Sequence, residues 1–272
     1  MGKLGVGHPS NDGNGELILN AYLENQTAII SGGLGDIGRA IARKLAELGA
    51  DIALGDIVGS SQSIDFLQDL KKLGRRARYD CVDVTDALAV SEWVAAVETD
   101  FGAVTLIVPN AAIVTLSNFR TLRASEWNRE LRVNLDGSFH LAQAGVQRLL
   151  QLKKEGRVVF IGSWAGHRPH THIPAYCVAK AGLRMLCQCM ALELAPYGIL
   201  VNEVAPGYVD AGLSGRMFEK DTAARDRFMG QVPIQKLIKP ADVALQVAHL
   251  FDPQNQHMTG SLVLMDGGLS LA

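Results

Sequence analysis

The chain has 272 residues, of which 48% are hydrophobic and 20% are charged, and its formal net charge at pH 7 is −2. A charge so close to zero gives no general attraction to nucleic acid or to an anionic membrane surface. No apolar run approaches the ~18 residues needed to span a bilayer, so the composition predicts a globular protein with a sizeable core.

Residues 1–24 are rich in Gly, Asn and Asp, and they lack the apolar stretch of a secretory signal. They predict a flexible N-terminal arm before a single folded domain that covers residues 25–272. The cysteines fit no zinc-binding spacing, so we expect reduced thiols, no metal and a cytoplasmic location. They are Cys81, Cys177, Cys187 and Cys189.

Short apolar runs alternate with longer helical patterns from residue 27 onward. The runs predict strands over 27–31, 51–56, 77–82, 105–110, 157–163, 199–206 and 261–266. Several of them are apolar throughout, as parallel strands are when helices cover both faces of the sheet. The alternation predicts an α/β, doubly wound Rossmann-type fold with helices on both faces of a parallel sheet. For such a fold we expect a seven-stranded sheet in the order 3-2-1-4-5-6-7.

Two helical stretches in the second half of the chain are unusually long. They cover residues 124–153 and 174–195, and the second is apolar nearly all round, so we expect it to be buried. The polar segment 207–240 follows the sixth strand, where such folds place loops over the site.

The stretch SGGLGDIG, residues 31–38, joins the first strand to the first helix. Glycines allow a tight turn and a close approach of the backbone to a ligand, and the helix then points its first amides at a phosphate. Gly32, Gly35 and Gly38 therefore predict a pyrophosphate cradle. A tight turn without a ligand is the alternative.

Asp56 ends the second strand, about twenty residues further along the chain. A carboxylate at this position can accept hydrogen bonds from the adenosine ribose hydroxyls, and it would repel a 2′-phosphate. Residues 33–36 contain no Lys or Arg to neutralise such a phosphate. The pattern favours NAD over NADP.

The stretch SWAGHRPHTHIPAYCVAK, residues 163–180, contains a possible proton-transfer group. Tyr176 and Lys180 are one helical turn apart and share a face. A nearby ammonium favours a phenolate, so we expect Lys180 to lower the pKa of Tyr176 and make it a general base or acid. Ser163 would hold the reacting oxygen through a hydrogen bond.

Tyr176, Lys180 and Ser163 stand at the spacings of the signature of the short-chain dehydrogenase/reductase family, and the chain resembles its single-domain branch over residues 27–268. Further matches are Asp83-Val84, Asn110-Ala111-Ala112, Asn134 within RVNLDGSF, Pro206-Gly207 and Asp266-Gly267-Gly268.

The resemblance implies a catalytic tetrad of Asn134, Ser163, Tyr176 and Lys180. It also implies that Lys180 grips the nicotinamide ribose, that Asn134 helps to hold a water, and that the protein is a homotetramer assembled through helices 124–153 and 174–195. The predicted cofactor-binding residues are Gly32, Gly35, Asp36, Ile37, Gly38, Asp56, Asp83, Val84, Asn110, Ala111, Ala112, Tyr176, Lys180, Pro206, Gly207 and Val209.

Asp36 departs from the family pattern, because the single-domain branch has glycine there. The resulting G-x-x-G-x-x-G spacing is similar to that of the longer branch, whose members have a C-terminal substrate domain; we expect no such domain here. We expect the Asp36 side chain to point away from the phosphates or to lie at the helix N-terminus. Ser31 and Ala211 stand where the family commonly has threonine.

The substrate is less clear from the sequence. The predicted contacts are Ser163, Ala165, His170 and Tyr208. Trp164, His167, Arg168 and His172 add polar donors to the same loop, and Arg216, Lys220, Arg225 and Arg227 follow in the segment 207–240. These groups suit a sugar, a polyol or an anionic hydroxy compound.

The predicted function is NAD-dependent interconversion of a secondary alcohol and its ketone or lactone. Two alternatives remain open: a non-catalytic NAD-binding sensor or scaffold, and an epimerase or dehydratase with tightly held NAD.

Overall fold

The computed structural model describes residues 21–212 and 222–272. Seven parallel strands form one sheet in the order β3-β2-β1-β4-β5-β6-β7, which confirms the predicted topology. The strands are β1 (Thr27–Ser31), β2 (Asp51–Asp56), β3 (Ala77–Cys81), β4 (Val104–Val108), β5 (Gly156–Ile161), β6 (Ile199–Pro206) and β7 (Leu262–Met265). The helices are α1 (Asp36–Glu47), α2 (Ile64–Lys72), α3 (Ala87–Phe101), α4 (Ala124–Leu131), α5 (Gly137–Leu152), α6 (Pro174–Leu194), α7 (Thr222–Gln231) and α8 (Pro240–Phe251).

Helices cover both faces of the sheet. Residues of α1, α2 and α8 pack on one face, where Ile41, Leu70 and Val247 are fully buried. Residues of α3, α5 and α6 pack on the other face. Because both faces are covered, the central strands are apolar on both sides, which is why they lack polar alternation in the sequence.

The predicted helix 124–153 is interrupted in the structure. The chain forms α4, then a π-helical turn over Arg132–Asp136, then α5. Side-chain periodicity does not resolve a π-helical turn, because the turn inserts a single residue into an otherwise regular helix. The turn contains Asn134, which is fully buried.

The expectation that helix 174–195 is buried all round is wrong for the single chain. Leu183, Cys187 and Ala191 of α6 pack in the core against the sheet, but Met185 and Leu192 are 59% and 84% exposed. The helix therefore leaves an apolar stripe uncovered.

The folded domain extends to the N-terminal side of the predicted boundary at residue 25. Leu23 is 1% exposed, and its amide donates to the carbonyl of Leu48 over 2.9 Å. Residues 1–20 of the predicted arm lie outside the described residues. Within 21–212 and 222–272, none of the helices combines the length and the apolarity needed to cross a bilayer.

Candidate active site

The predicted site residues gather at the carboxyl ends of the strands, around the point where the strand order reverses between β1 and β4. Ser31 links these two strands, because its Oγ accepts hydrogen bonds from the amides of Asn110 and Ala111 over 3.0 and 3.2 Å. The Asn110 side chain donates back to the carbonyls of Ser31 and Gly32, both over 3.0 Å. A crevice at such a reversal is where doubly wound folds bind their ligands.

The loop after β1 has the shape of a phosphate cradle. Gly32 has a φ of +61°, in the left-handed region. Gly38 lies so close to the loop that an added Cβ would be 2.3 Å from the Gly32 carbonyl oxygen. Helix α1 begins after Gly35, which has no side chain to cap the first-turn amides. Because the first amides of a helix have no partner within the helix itself, those around Asp36 and Ile37 are suited to an anion, so these residues fit the pyrophosphate of a dinucleotide.

Asp36 lies at the helix N-terminus, in the orientation expected for it. It is the first residue of α1, and its Oδ2 accepts a hydrogen bond from the amide of Gly212 over 2.8 Å. The carboxylate therefore connects the cradle to the segment that follows β6.

The Asp56 carboxylate, which was predicted to bind the adenosine ribose, also holds the loop after β1. Its Oδ2 accepts from the amide of Leu34 over 3.2 Å, and its Oδ1 accepts from the amide of Ile57 over 2.8 Å. Each carboxylate oxygen keeps a second lone pair, so these contacts leave room for ribose hydroxyls.

A cation that the sequence reasoning missed lies next to this site. Arg39 donates from Nε to the carbonyl of Leu34 over 2.8 Å, and its guanidinium stacks over the ring of Phe66 at 4.8 Å. Residues 33–36 contain no cation, but the first turn of α1 brings the Arg39 side chain back to this loop. This position counts against a simple exclusion of NADP by Asp56.

The other predicted cofactor residues lie at the same edge of the sheet. Asp83 is exposed and accepts from the amide of Thr85. Val84 is buried against Gly137, and Ala112 is half-buried in the loop after β4.

Pro206 ends β6, and Val209 pairs with Ile238. Gly207 lies against Asp266, where a Cβ would be 2.9 Å from the Asp266 Cα.

Asn134 clamps the loop after β4. Its Nδ2 donates to the carbonyl of Ile113 over 2.9 Å, and its Oδ1 accepts from the amide of Ile113 over 2.8 Å. The side-chain amide is thus committed to the protein, so a water held at this position would bind the main-chain carbonyl of Asn134, which also accepts from Ser138.

Ser163, Tyr176 and Lys180 come together where β5 ends and α6 begins. Ser163 is buried, and its Oγ accepts from the amide of Ala165 over 3.2 Å. Lys180 is 2% exposed, its Nζ lies 5.6 Å from the centre of the Tyr176 ring, and it donates to the carbonyl of Ile161 over 2.8 Å.

The expectation of a lowered pKa for Tyr176 is wrong. Burial raises the pKa of Tyr176 to about 12; the hydrogen bond with Ser163 opposes the shift, and the Glu130 carboxylate adds to it. Lys180 is directed at the Ile161 carbonyl. Its own pKa is lowered by burial to about 8, while Glu203 acts to raise it.

Two buried carboxylates near this group were not found from the sequence. Glu130 is 0% exposed, and one oxygen accepts from the amide of Thr115 while Oε1 has no partner among the described residues. Glu203 is 1% exposed. For Glu203 the available signal was a charged residue within the apolar run ILVNEVAP, because such residues are almost never fully buried without a reason. Glu130 stands in the polar stretch ASEWNREL, which gave no such signal.

Aromatic rings line the side where the substrate was predicted. Trp164 meets His170 edge-to-face at 4.4 Å and Tyr208 at 5.2 Å, and Tyr208 in turn meets Phe228 at 4.6 Å. The Nε2 of His170 is buried with no partner among the described residues. Burial, and secondarily Arg168, lower the pKa of His170, which favours the neutral ring.

The predicted cations are differently placed. Arg168 donates to the carbonyl of Ala272, and Arg225 pairs with Asp210 at 2.5 Å. Arg227 is exposed on α7, and Arg216 and Lys220 lie outside the described residues. Within 21–212 and 222–272, no group of three His, Cys, Asp or Glu side chains could hold a metal ion.

Comparison with known proteins identifies the family. The sequence model of the family described as enoyl-(acyl carrier protein) reductase matches residues 33–270. The chain is 32% identical over 256 residues to the 2,3-dihydro-2,3-dihydroxybenzoate dehydrogenase of Bacillus subtilis, which covers 92% of this chain and 97% of that protein. This chain belongs to the short-chain dehydrogenase/reductase family. It is an oxidoreductase of alcohols and ketones, and NAD(P) is the family's typical cofactor.

Two solved structures of this short-chain dehydrogenase/reductase fold differ in cofactor. A NAD+-bound xylitol dehydrogenase is 28% identical with a TM-score of 0.85, covering 90% of this chain and 99% of its own. A protein from Agrobacterium tumefaciens assigned as a 2-deoxy-d-gluconate 3-dehydrogenase, with bound NADP, is 26% identical with a TM-score of 0.83, covering 93% and 99%. Relatives of this chain therefore use either cofactor.

Proposed function

We propose that this protein is a cytoplasmic, NAD-dependent dehydrogenase that interconverts a secondary alcohol of a polyol or sugar and its ketone or lactone. The observation that supports this best is the convergence of Ser163, Tyr176 and Lys180 at the carboxyl end of β5, next to a loop shaped for a pyrophosphate.

Tyr176 is proposed to take the proton from the substrate hydroxyl, and to return it in the reverse direction. A phenol with a pKa near 12 is a poor base at neutral pH, so the phenolate requires positive charge close to its oxygen. Lys180 can supply that charge from the next turn of α6. The bound nicotinamide supplies the hydride acceptor and, when oxidised, a second positive charge.

Ser163 is proposed to donate a hydrogen bond to the reacting oxygen. The Ser163 oxygen already accepts from Ala165, and its hydroxyl also shares a hydrogen bond with Tyr176, so its one proton would turn from the phenol to the substrate oxygen when the substrate binds. This contact strengthens as negative charge develops on the substrate oxygen, which is how an oxyanion-type donor lowers a barrier. Asn134 is proposed to act indirectly, by holding the loop at Ile113 in place.

NAD would be held by the predicted set of cofactor residues, from Gly32 through Val209. The Asp56 carboxylate favours a ribose with free hydroxyls, and this preference is the basis for proposing NAD. Arg39 is the opposing group, because a guanidinium near the same ribose suits a 2′-phosphate.

Neutral hydroxyl groups on the substrate are favoured over an anion. Burial lowers the pKa values of both His167 and His170, so neither imidazole is a cation near pH 7. A neutral imidazole can still donate and accept hydrogen bonds. Together with Ala165 and Tyr208, His170 suits a polyhydroxy compound whose carbon face lies against the aromatic rings. Xylitol, for which one relative is named, is such a compound, whereas 2-deoxy-d-gluconate, for which another is named, also carries a carboxylate.

The proposed homotetramer would bury the apolar stripe on α6. Val178, Met185 and Leu192 are spaced by seven residues, so they follow one face of the helix, and all three are exposed in the single chain. Phe139 and Leu152 of α5 add further exposed apolar surface.

The experiment is a panel of polyols, sugars, hydroxy acids and hydrophobic alcohols, each with NAD and with NADP at equal concentrations. With a substrate in hand, Tyr176→Phe should lower kcat by at least ~100-fold, the scale of lost general acid–base catalysis, and should leave NAD affinity within a few-fold. The matched control is Tyr197→Phe, since Tyr197 is 60% exposed and the same hydroxyl is removed at the surface.

The outcomes separate the three functions considered. Unchanged turnover by Tyr176→Phe would exclude the proposed mechanism. NAD binding without turnover of any compound would favour the sensor, and turnover without net release of NADH would favour an epimerase or dehydratase.

A further inference from the structure

Glu203 is a buried carboxylate that the proposed reaction does not use. It follows Ile199 and Val201 at every second position of β6, so it faces the side of the sheet covered by α6. It is 1% exposed, and neither of its carboxylate oxygens has a hydrogen-bond partner among the described residues.

Helix α6 carries two cations that are close enough to act on this carboxylate. Lys180 and Arg184 are one turn apart on the helix, and the Arg184 Nη1 lies 3.9 Å from the Glu203 Oε2. Lys180 is buried with its Nζ fixed at the Ile161 carbonyl. The Cys187 thiol faces the same carboxylate, which adds to the effect of burial in raising the pKa of the thiol.

The adjacent strands contribute no ionisable group. On the β5 side is Gly162, where an added Cβ would lie 1.8 Å from the Glu203 Oε1, so only glycine leaves room for the carboxylate. On the β7 side the paired residue is Leu262. An ionised carboxylate is tolerated in such surroundings only when cations balance it.

We propose that Glu203 is a positioning residue for Lys180, whose negative charge keeps the buried lysine protonated and directed at the end of β5. The proposal rests on the proposed function, in which the lysine charge makes Tyr176 a base. It adds that the positive charge of Lys180 is maintained by a buried carboxylate on β6, which contacts neither substrate nor cofactor.

The mutual effects of the two residues agree with this geometry. Burial lowers the pKa of Lys180 to about 8, and Glu203 opposes the shift. Burial raises the pKa of Glu203 to about 7, and Lys180, followed by Arg184, opposes that shift. The carboxylate that acts on Tyr176 is Glu130 rather than Glu203. Removing the charge of Glu203 therefore reaches the phenol through the lysine.

The primary test follows the lysine itself and needs no substrate. The side-chain resonance of Lys180 is titrated by NMR in protein with 13C-labelled lysine, and a Lys180→Met sample assigns it. In Glu203→Gln the midpoint should fall by about one pH unit, the lower end of the effect of a close opposite charge. At pH 8 this leaves about fivefold less ammonium. Glu193→Gln is the control, because Glu193 is an exposed carboxylate on the same helix.

The second test is the pH profile of kcat/KM. The loss of activity on the alkaline side should move to lower pH in Glu203→Gln by the same amount as the lysine midpoint, and Glu193→Gln should match the wild type. A purely structural role for Glu203 would lower the thermal stability without moving either midpoint, and that result overturns the proposal.

Two provisions keep the outcome decisive. If Glu203→Gln fails to fold, Glu203→Met replaces the charge with an apolar side chain of similar length. If neither folds, the wild-type Lys180 resonance must show a second inflection near pH 7 from Glu203, and its absence overturns the proposal. If the enzyme lacks turnover with every substrate, the proposed function fails, while the NMR titration still decides the pairing.

Discussion

The substitution Gly38→Ala tests the predicted cofactor cradle most directly. An added Cβ would lie 2.3 Å from the Gly32 carbonyl oxygen and 2.9 Å from the Gly33 Cα. Both are backbone atoms, so the loop itself has to move by about 1 Å. Overpacking of this kind costs about 1–3 kcal/mol, whereas alanine gains about 1 kcal/mol over glycine inside a helix. With the cost at its upper end, we expect a net loss of about 2 kcal/mol.

Thermal unfolding with and without NAD measures both consequences. A loss of about 2 kcal/mol lowers Tm by about 4–8 °C in a domain of this size, and the stabilisation by NAD should disappear, because the displaced loop no longer fits the pyrophosphate. Gly59→Ala is the control, since nothing lies within 4 Å of its added Cβ. Gly35→Ala has only a 3.4 Å contact, so it should keep its stability and weaken NAD binding alone. A Gly38→Ala protein with wild-type Tm and NAD affinity would refute the reasoning.

Three further results are expected. Asp56→Ala should reduce the preference for NAD over NADP by about tenfold, because hydrogen bonds to a charged group are worth about 1.5–3 kcal/mol and Arg39 remains; steady-state kinetics with both cofactors measure it. Leu192→Glu should dissociate the proposed tetramer, since the interface would have to bury an unpaired carboxylate; light scattering reports the mass. The free energy of unfolding of the wild type should fall relative to that of Glu203→Gln as pH rises from about 4.5 to about 7. The reason is that the native state holds the Glu203 proton over that range and the unfolded state does not. Chemical denaturation across the range measures this difference.

The two substitutions at Asp56 and Leu192 have matched controls, and all three results have a contrary outcome. Asp65→Ala removes an exposed carboxylate elsewhere, and an Asp56→Ala enzyme no less selective than this control would remove the basis for proposing NAD. Leu88→Glu places the same charge on α3, at a side chain that is 69% exposed. If Leu192→Glu keeps the wild-type mass, α6 is not the interface. A constant stability difference between wild type and Glu203→Gln from pH 4.5 to 7 would contradict the raised pKa.

Much of the fold and of the site was predictable from the sequence because both follow from local patterns. Apolar runs and turn glycines indicated the strands and the doubly wound architecture, and the spacing of Ser163, Tyr176 and Lys180 identified the reactive group. The role of the glycines at 32 and 38 was predictable for the same reason, because few other residues fit the backbone conformation and the close contacts at these positions.

The remainder depends on contacts between distant elements. Glu203 is one of two polar residues within ILVNEVAP, and only the packing of α6 on β6 shows that it lies near Lys180 and Arg184. The direction of the pKa shift of Tyr176 was wrong because spacing on a helix says nothing about burial. Arg39 was missed because only residues 33–36 were considered as neighbours of the ribose. Its side chain reaches the same loop from the first turn of α1.

The π-helical turn at Arg132–Asp136 means that a stretch which looks continuous is two helices in different rotational phase. One extra residue turns everything after it by about 100° around the axis. Deleting a single residue there would join α4 and α5 into one continuous α-helix. It would also rotate Leu141, Gly145 and Leu149 away from β4. Homologous chains should therefore tolerate exchange of side chains in this turn far better than any change in its length.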